Sequence, residues 1–95
     1  MKYKLTKKSI TFQGRELFQI EALISFGLIK KGDLGGYIEK EENLSQGHGD
    51  AWVFGNALVF GNAWVSGNAR VSGNARVFGD AWVSGKIKCE TGYYF

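Results

Sequence analysis

Few residues of this chain could carry out a chemical reaction. The single histidine, His48, lies in a Gly-His-Gly segment, and no serine or aspartate can be placed beside it as a catalytic partner. Glu39, Glu41 and Glu42 form a run typical of a solvated surface, not a carboxylate pair placed for acid–base catalysis. The spacing of possible ligands predicts no metal site, and the phosphate-loop pattern GxxxxGK[ST] is absent. We therefore predict no catalytic residue, no metal and no cofactor.

Side chains suited to binding are more frequent. Arginine and aromatic residues are enriched at the energetic centres of protein interfaces, and a guanidinium group binds carboxylates and phosphates. We expect such a surface to contact another copy of the chain in a dimer or trimer, a foreign protein, or a nucleotide stacked between an aromatic ring and an arginine. The residues predicted to form it are Trp52, Phe54, Phe60, Trp64, Arg70, Arg76, Phe78 and Trp82.

An uninterrupted series of seven hexapeptides, residues 49–90, must position these side chains. The copies follow the pattern Gly-[Asn/Asp]-Ala-x-Val-[Ser/Phe], and the last copy is degenerate. Ala and Val should face one side of a short strand, while x and the final Ser or Phe face the other. Gly with Asn or Asp then forms a corner, because these residues tolerate positive φ. Each hexapeptide is therefore predicted to be a strand followed by a corner.

Arg70 and Arg76 occupy the outward x position, where the other full repeats carry Trp or Leu. They either keep a strand face soluble or contact an acidic or phosphate-bearing partner, with Trp52 and Phe78 as flanking stacking surfaces. Because neither side chain should point inward, we expect both to be replaceable without loss of the fold.

The repeat resembles the hexapeptide repeat of left-handed parallel β-helices. That resemblance implies an all-β fold in which three hexapeptides make one triangular coil, so the chain would contain about two to three coils. The left-handed expectation comes from the resemblance alone. Residues eighteen apart should then stack at the strand spacing of about 4.8 Å. The predicted outward rows are Trp52, Arg70 and Lys88, with Phe54, Ser72 and Glu90 beside them; Leu58, Arg76 and Tyr94, beside Phe60 and Phe78; and Trp64 and Trp82.

The two ends of the chain differ from the repeats. Residues 3–23 are predicted to form a β-hairpin, and residues 1–44 an N-terminal β-hairpin cap over the exposed edge of the first coil. Residues 45–95 would form the hexapeptide-repeat β-helix, a single compact unit. Three additional residues around 47–49 break the register. Tyr93 and Phe95 fall on inward positions of a truncated eighth unit, where they should plug the C-terminal end.

The composition of the chain limits the cross-links, metal sites and cellular compartment that we expect. The chain has 95 residues, a net charge of +3 and one cysteine, which excludes an internal disulfide and a cysteine zinc cluster. No transmembrane stretch or signal-peptide pattern is present in the sequence, so we expect a cytoplasmic protein. The basic start, with Lys2, Lys4, Lys7 and Lys8, is typical of a solvated arm, and nucleic-acid binding is the alternative.

A second resemblance covers most of the chain. The segment 31–39, KGDLGGYIE, followed by Gly-Asn-Ala-Arg-Val repeats, is similar to the N-terminal part of phage and prophage β-helix proteins. It implies a non-enzymatic phage-type binding protein in the cytoplasm of a bacterial host. The expected role is inhibition of host antiviral defence, as an anti-CRISPR-like protein binder or a nucleotide sponge.

Two other functions remain open. The chain could be a structural oligomerisation or virion-assembly module, because left-handed β-helices commonly associate through their faces. It could also be a reduced relative of the hexapeptide acyltransferases, which use a histidine base, and activity would then depend on His48.

Overall fold

The computed structural model of the chain describes residues 1–47 and 49–95, so the predictions made for His48 lie outside the described residues. The fold is all β, apart from a 3-10 helix at Glu41–Asn43. Three longer strands come first, β1 (Tyr3–Phe12), β2 (Arg15–Ala22) and β3 (Leu34–Ile38). Short strands of two residues follow: β4 (Trp52–Val53), β5 (Leu58–Val59), β6 (Trp64–Val65), β7 (Arg70–Val71), β8 (Arg76–Val77), β9 (Trp82–Val83), β10 (Lys88–Cys89) and β11 (Tyr93–Tyr94).

The short strands stack into a β-solenoid of about three turns. Every third strand pairs in parallel, so that Trp52 lies over Arg70, Arg70 over Lys88, and Trp64 over Trp82. Glycine occupies the corners because the backbone there has a positive φ and lies close to the backbone of the corner in the next turn. At Gly67, φ is 63°, and an added Cβ would lie 2.9 Å from the amide nitrogen of Gly85. The eighteen-residue spacing of these rows is confirmed.

The interior of the solenoid consists of the alanine and valine of each hexapeptide. The valines form columns inside the coil, and Val53, Val71 and Cys89 make one of them. Small alanines and β-branched valines suit this interior because each layer has little width. The buried repeat residues are Ala51, Val53, Ala57, Val59, Ala63, Val65, Ala69, Val71, Ala75, Val77, Val83 and Cys89.

The N-terminal segment adds to one side of the solenoid. Strands β1 and β2 are antiparallel, β2 pairs with β3 in the same sense, and β3 pairs in parallel with β5. The result is a six-stranded sheet in the order β1-β2-β3-β5-β8-β11. Ile38 lies beside Val59, and Leu44 beside Val65, each 21 positions away. This offset exceeds the repeat spacing by three, in agreement with the three additional residues predicted between them.

The basic start is not a solvated arm along its whole length. Lys2 is buried, and its Nζ donates to the carbonyl of Ala51 (3.1 Å) and lies 4.7 Å from the ring centroid of Phe26. Burial lowers the pKa of Lys2 below its ordinary 10.5, and the nearby carboxylate of Asp50 acts in the opposite direction. The predicted solvation was wrong for this residue because its backbone amide is anchored to Gln46 Oε1 (2.8 Å).

The C-terminal strand also departs from the prediction. Tyr93 pairs with Arg76 and Tyr94 with Val77, so Tyr94 takes the inward position, and Tyr93 and Phe95 are 63% and 83% exposed. The predicted row with Tyr94 outward, and the predicted plug formed by Tyr93 and Phe95, were therefore wrong. Tyr93 follows its partner Arg76 by 17 residues instead of eighteen, so the strand after the left-handed Gly92 (φ 89°) begins one residue early.

Tyr3 fastens β1 to the 3-10 helix and gives the protein a predicted pH dependence. The buried hydroxyl donates to the carbonyls of Glu41 (3.0 Å) and Leu44. Burial, assisted by the carboxylates of Glu41 and Glu42, raises the pKa of Tyr3 well above its ordinary 10.0. Above pH 10 the unfolded chain therefore loses a proton that the folded chain keeps, so the free energy of unfolding should fall as the pH rises.

The expected slope from Tyr3 is about 1.4 kcal/mol per pH unit, and Tyr3→Phe should remove it. Because the pKa of Lys2 is lowered, Lys2 makes the free energy of unfolding rise with pH below pH 10.5. This contribution is the same in the parent and in Tyr3→Phe, so the difference between their slopes comes from Tyr3. Urea unfolding of the two proteins between pH 9 and about pH 11 measures it. Equal slopes would contradict the buried, protonated hydroxyl.

Candidate functional site

Two of the eight predicted binding residues are not accessible. Trp52 is 1% exposed, because Tyr3 and Phe26 pack edge-to-face against it at centroid distances of 6.2 and 5.4 Å. Phe60 is 3% exposed and packs against Phe12 at 5.6 Å. Their predicted exposure was wrong because the N-terminal residues cover the outward side of these positions, and the hexapeptide pattern carries no information about such a covering.

A column of phenylalanines runs down the face next to the hairpin. Phe60 and Phe78 stack with their centroids 5.2 Å apart and an interplanar angle of 6°, and Phe95 stacks below Phe78 at 5.2 Å. Phe78 is half-buried in this column. Because both of its ring faces are in use, Phe78 is not a free stacking surface for a ligand.

Trp64 and Trp82 form the second aromatic row. They lie directly over one another, and the exposed fraction increases down the row, from half-buried at Trp64 to 76% at Trp82. Trp82 is the most accessible of the eight predicted residues, and it lies in the last turn of the solenoid.

Arg76 belongs to the framework of the fold. Its Nη1 donates to the carbonyls of Asn74 (2.8 Å), Ala75 (3.1 Å) and Asn56 (3.4 Å), and its guanidinium lies 5.5 Å from the ring centroid of Phe12. These contacts join two turns of the solenoid to the hairpin. The expectation that Arg76 could be replaced without effect on the fold therefore conflicts with its contacts.

Arg70, in the equivalent position of the preceding hexapeptide, lies in a groove on a different face. Within residues 1–47 and 49–95, its side chain forms no hydrogen bond or ion pair. The groove has a volume of about 240 Å³ and lies between the row of Arg70 and Lys88 and the row of Phe54, Ser72 and Glu90. A second groove of about 270 Å³ shares Arg70 and Lys88 and is completed by Asp50, Asn68 and Lys86.

The two grooves have a small net positive charge, because three cationic side chains and two carboxylates line them. Arg70, Lys86 and Lys88 face Asp50 and Glu90, and the ion pairs of the described residues, Lys4–Glu21 and Arg15–Glu39, do not involve any of them. A net positive charge on a concave surface attracts anions. The arrangement therefore suits an anionic ligand with an apolar part that can lie against Phe54.

The eight predicted residues are not brought together into one site. Arg70 and Phe54 share the groove, Trp64 and Trp82 form a separate row, and Arg76 and Phe78 pack against the hairpin side. Ser72, Lys88 and Glu90 also line the groove and are not among the eight predicted residues. The eighteen-residue rows could have indicated them, since these rows place all three beside Arg70 and Phe54.

Among residues 1–47 and 49–95, no group of three or more His, Cys, Asp or Glu side chains could hold a metal ion. Nor does any helix among those residues combine the length and the apolar character needed to cross a bilayer.

Comparison with known proteins agrees with the architecture. Residues 51–67 and 69–85 each match the family model described as YdcK Beta solenoid repeat. No curated protein matches the chain. The matched residues include strands of all three faces, and each match spans nearly one turn of the solenoid. The parallel stacking of the strands and the two matched segments together show that the chain is a β-helix protein, with repeats similar to the YdcK β-solenoid repeat.

Proposed function

We propose that this chain is a non-enzymatic binding protein that holds a phosphate-bearing partner in the groove around Arg70. In this proposal the solenoid is a left-handed β-helix, residues 1–44 cap its first coil, and residues 45–95 present the groove. The solenoid supplies a rigid surface, because each row of outward side chains is anchored by strand pairing above and below.

The observation that carries the proposal is the difference between two arginines in equivalent positions. Arg76 has three carbonyl partners and an aromatic neighbour, whereas Arg70 has no polar partner among the described residues. Arg70 is half-buried as a residue and is held in the groove, so its guanidinium is placed there without a polar partner among residues 1–47 and 49–95. A bound anion would supply that partner, because charge-assisted hydrogen bonds from a guanidinium to a phosphate are strong and frequently bidentate.

A nucleotide fits the chemistry of the groove. Arg70 and Lys88 would bind its phosphates, the Ser72 hydroxyl would donate a further hydrogen bond, and the Phe54 ring would support the base. Glu90 would accept hydrogen bonds from ribose hydroxyls or from an exocyclic amine. The two grooves share Arg70 and Lys88, so a ligand with several phosphates could extend from one groove into the other.

The biological role that we propose is inhibition of host defence by a phage-type protein in the bacterial cytoplasm. It draws on the similarity of the segment 31–39 and the repeats to phage and prophage β-helix proteins. A concave, cationic groove supports sequestration of a nucleotide signal more than binding of a flat protein surface, since protein interfaces centre on apolar patches with few charges.

Calorimetric titration with ATP tests the proposal. Arg70→Ala should weaken ATP binding at least about tenfold, as expected for an arginine at an energetic centre, and should leave the free energy of unfolding within about 0.5 kcal/mol. Arg76→Ala is the matched control. It should bind ATP as the parent does and be less stable by about 1–2 kcal/mol, because its carbonyl hydrogen bonds are lost.

A parent protein that shows no binding to millimolar ATP would overturn the proposed nucleotide. Equal ATP affinity of the parent and Arg70→Ala would overturn the proposed groove. A loss confined to Arg76→Ala would move the site to the hairpin side.

A further inference from the structure

The last turn of the solenoid ends in three strand edges. Strands β9, β10 and β11 are each the final strand of their sheet. In the turn above, the amides of Trp64 and Arg70 donate downward to the carbonyls of Ala81 and Ile87. Trp82 and Lys88 hold the same positions one turn lower, and no strand among residues 1–47 and 49–95 lies beneath them. Such edges are open to pairing with another strand.

The same end is apolar. A cavity of about 420 Å³ opens there, and its walls include the inward residues Val83, Cys89 and Tyr94 of the last turn. Large apolar side chains surround it with high exposed fractions, which are 76% for Trp82, 53% for Ile87, 63% for Tyr93 and 83% for Phe95. An apolar cross-section edged by unpaired strands is what one solenoid turn presents to the next.

The opposite end of the solenoid is covered by its own chain. Ile38 lies beside Val59 and Leu44 beside Val65, and the backbone of β3 closes over Val53, where an added Cβ at Gly36 would lie 2.7 Å from the Val53 Cγ1. One copy therefore cannot continue the coil of another in a head-to-tail manner. The end-to-end arrangement that remains is pairing between the C-terminal ends of two copies.

We propose that two copies of this chain associate through their C-terminal ends, with a two-fold axis perpendicular to the solenoid axis. Such an axis places one face of the solenoid against the same face of the other copy, with their strands antiparallel. Each of the remaining two faces then lies against the other one in the second copy. The occupant of the apolar end is thus a second copy, whose triangular cross-section has the same size and the same free backbone groups.

Charge and apolar character select the face that pairs with itself. If β10 pairs with β10 of the second copy about Cys89, Lys88 lies opposite the partner's Glu90, and the reverse pair forms by symmetry. The remaining faces then bring Trp82 against Tyr93 and Phe95 of the other copy, so aromatic side chains meet aromatic side chains. If β11 paired with itself instead, Trp82 would lie against Lys88 of the other copy. If β9 paired with itself, the Trp82 side chains of the two copies would meet, and Lys88 would lie against Tyr93 of the other copy.

Sedimentation equilibrium of the full chain is the test. The parent should have twice the 10.5 kDa mass of one chain, and Trp82→Asp, at an exposed position outside the groove, should sediment as a folded monomer. Lys88→Glu and Glu90→Lys should each weaken association about tenfold, because like charges then face each other twice. The double variant Lys88→Glu/Glu90→Lys should restore it, and Lys86→Glu at the neighbouring corner should have little effect.

A parent that remains a monomer at millimolar concentration would overturn the proposal, and so would a trimer, which a two-fold axis does not allow. Failure of the double variant to restore association would overturn the antiparallel β10 seam. Because Trp82 lies outside the Arg70 groove, Trp82→Asp should still bind ATP if the proposed function holds, so the two proposals are tested separately.

Discussion

Val71→Asp should leave the chain unfolded at 25 °C. Val71 is fully buried in the column between Val53 and Cys89, in the middle turn of the solenoid. An aspartate there would place a carboxylate inside the apolar cluster of the solenoid, between Val53 and Cys89. The cost of an unpaired buried charge exceeds about 4 kcal/mol, which is comparable with the roughly 5–15 kcal/mol that stabilises a whole domain.

The adjacent residue supplies the control. Ser72 follows Val71 directly but points outward into the groove, so Ser72→Asp should fold normally. Circular dichroism and the dispersion of the amide NMR signals distinguish the two outcomes. A soluble, folded Val71→Asp protein would contradict the inward register of the repeats.

Asn43→Ala should be the most destabilising change outside the repeats. The Asn43 side chain is fully buried, and its Nδ2 donates to the carbonyls of Gly61 (3.2 Å) and Ala63 (3.0 Å). Its Oδ1 accepts from the amides of Glu39 (3.1 Å) and Lys40 (2.9 Å). Alanine would leave these four backbone groups without their partner. Each buried polar group left unpaired costs about 1–3 kcal/mol, and some of the four groups can move toward new partners. The free energy of unfolding should therefore fall by about 3–5 kcal/mol.

Glu42→Ala, at the exposed neighbouring position, should change the free energy of unfolding by less than about 0.5 kcal/mol. Chemical denaturation of the three proteins measures both differences. If Asn43→Ala is as stable as Glu42→Ala, the side chain does not join the 3-10 helix to the first full turn in the way described here.

The repeats were predictable because their period is strict. A six-residue spacing of glycine, alanine and valine determines which side chains are inward, and the eighteen-residue spacing then determines the rows. The pairings of Trp52 with Arg70, Arg70 with Lys88 and Trp64 with Trp82 follow from it. At the C-terminus the spacing fails because the last turn is one residue shorter than the repeat, with Tyr93 only 17 positions after its partner Arg76, and alternation makes a one-residue shift reverse inward and outward.

The candidate site was less predictable, because it depends on contacts between distant segments. Nothing in the repeat pattern indicates that Tyr3 and Phe26 cover Trp52, or that Phe12 covers Phe60. The hexapeptides around Arg70 and Arg76 are nearly the same in sequence, yet only Arg76 lies beside the hairpin. The solenoid places them on different faces, so their roles differ through surroundings that no local pattern specifies.

An amide-resolved NMR spectrum recorded during titration with ATP locates the binding surface most directly. The largest chemical-shift changes should occur at Phe54, Arg70, Ser72 and Lys88, and they should be absent in Arg70→Ala, whose spectrum otherwise resembles that of the parent. Changes centred on Trp64 and Trp82, or no changes at millimolar ATP, would contradict a phosphate-binding groove at Arg70.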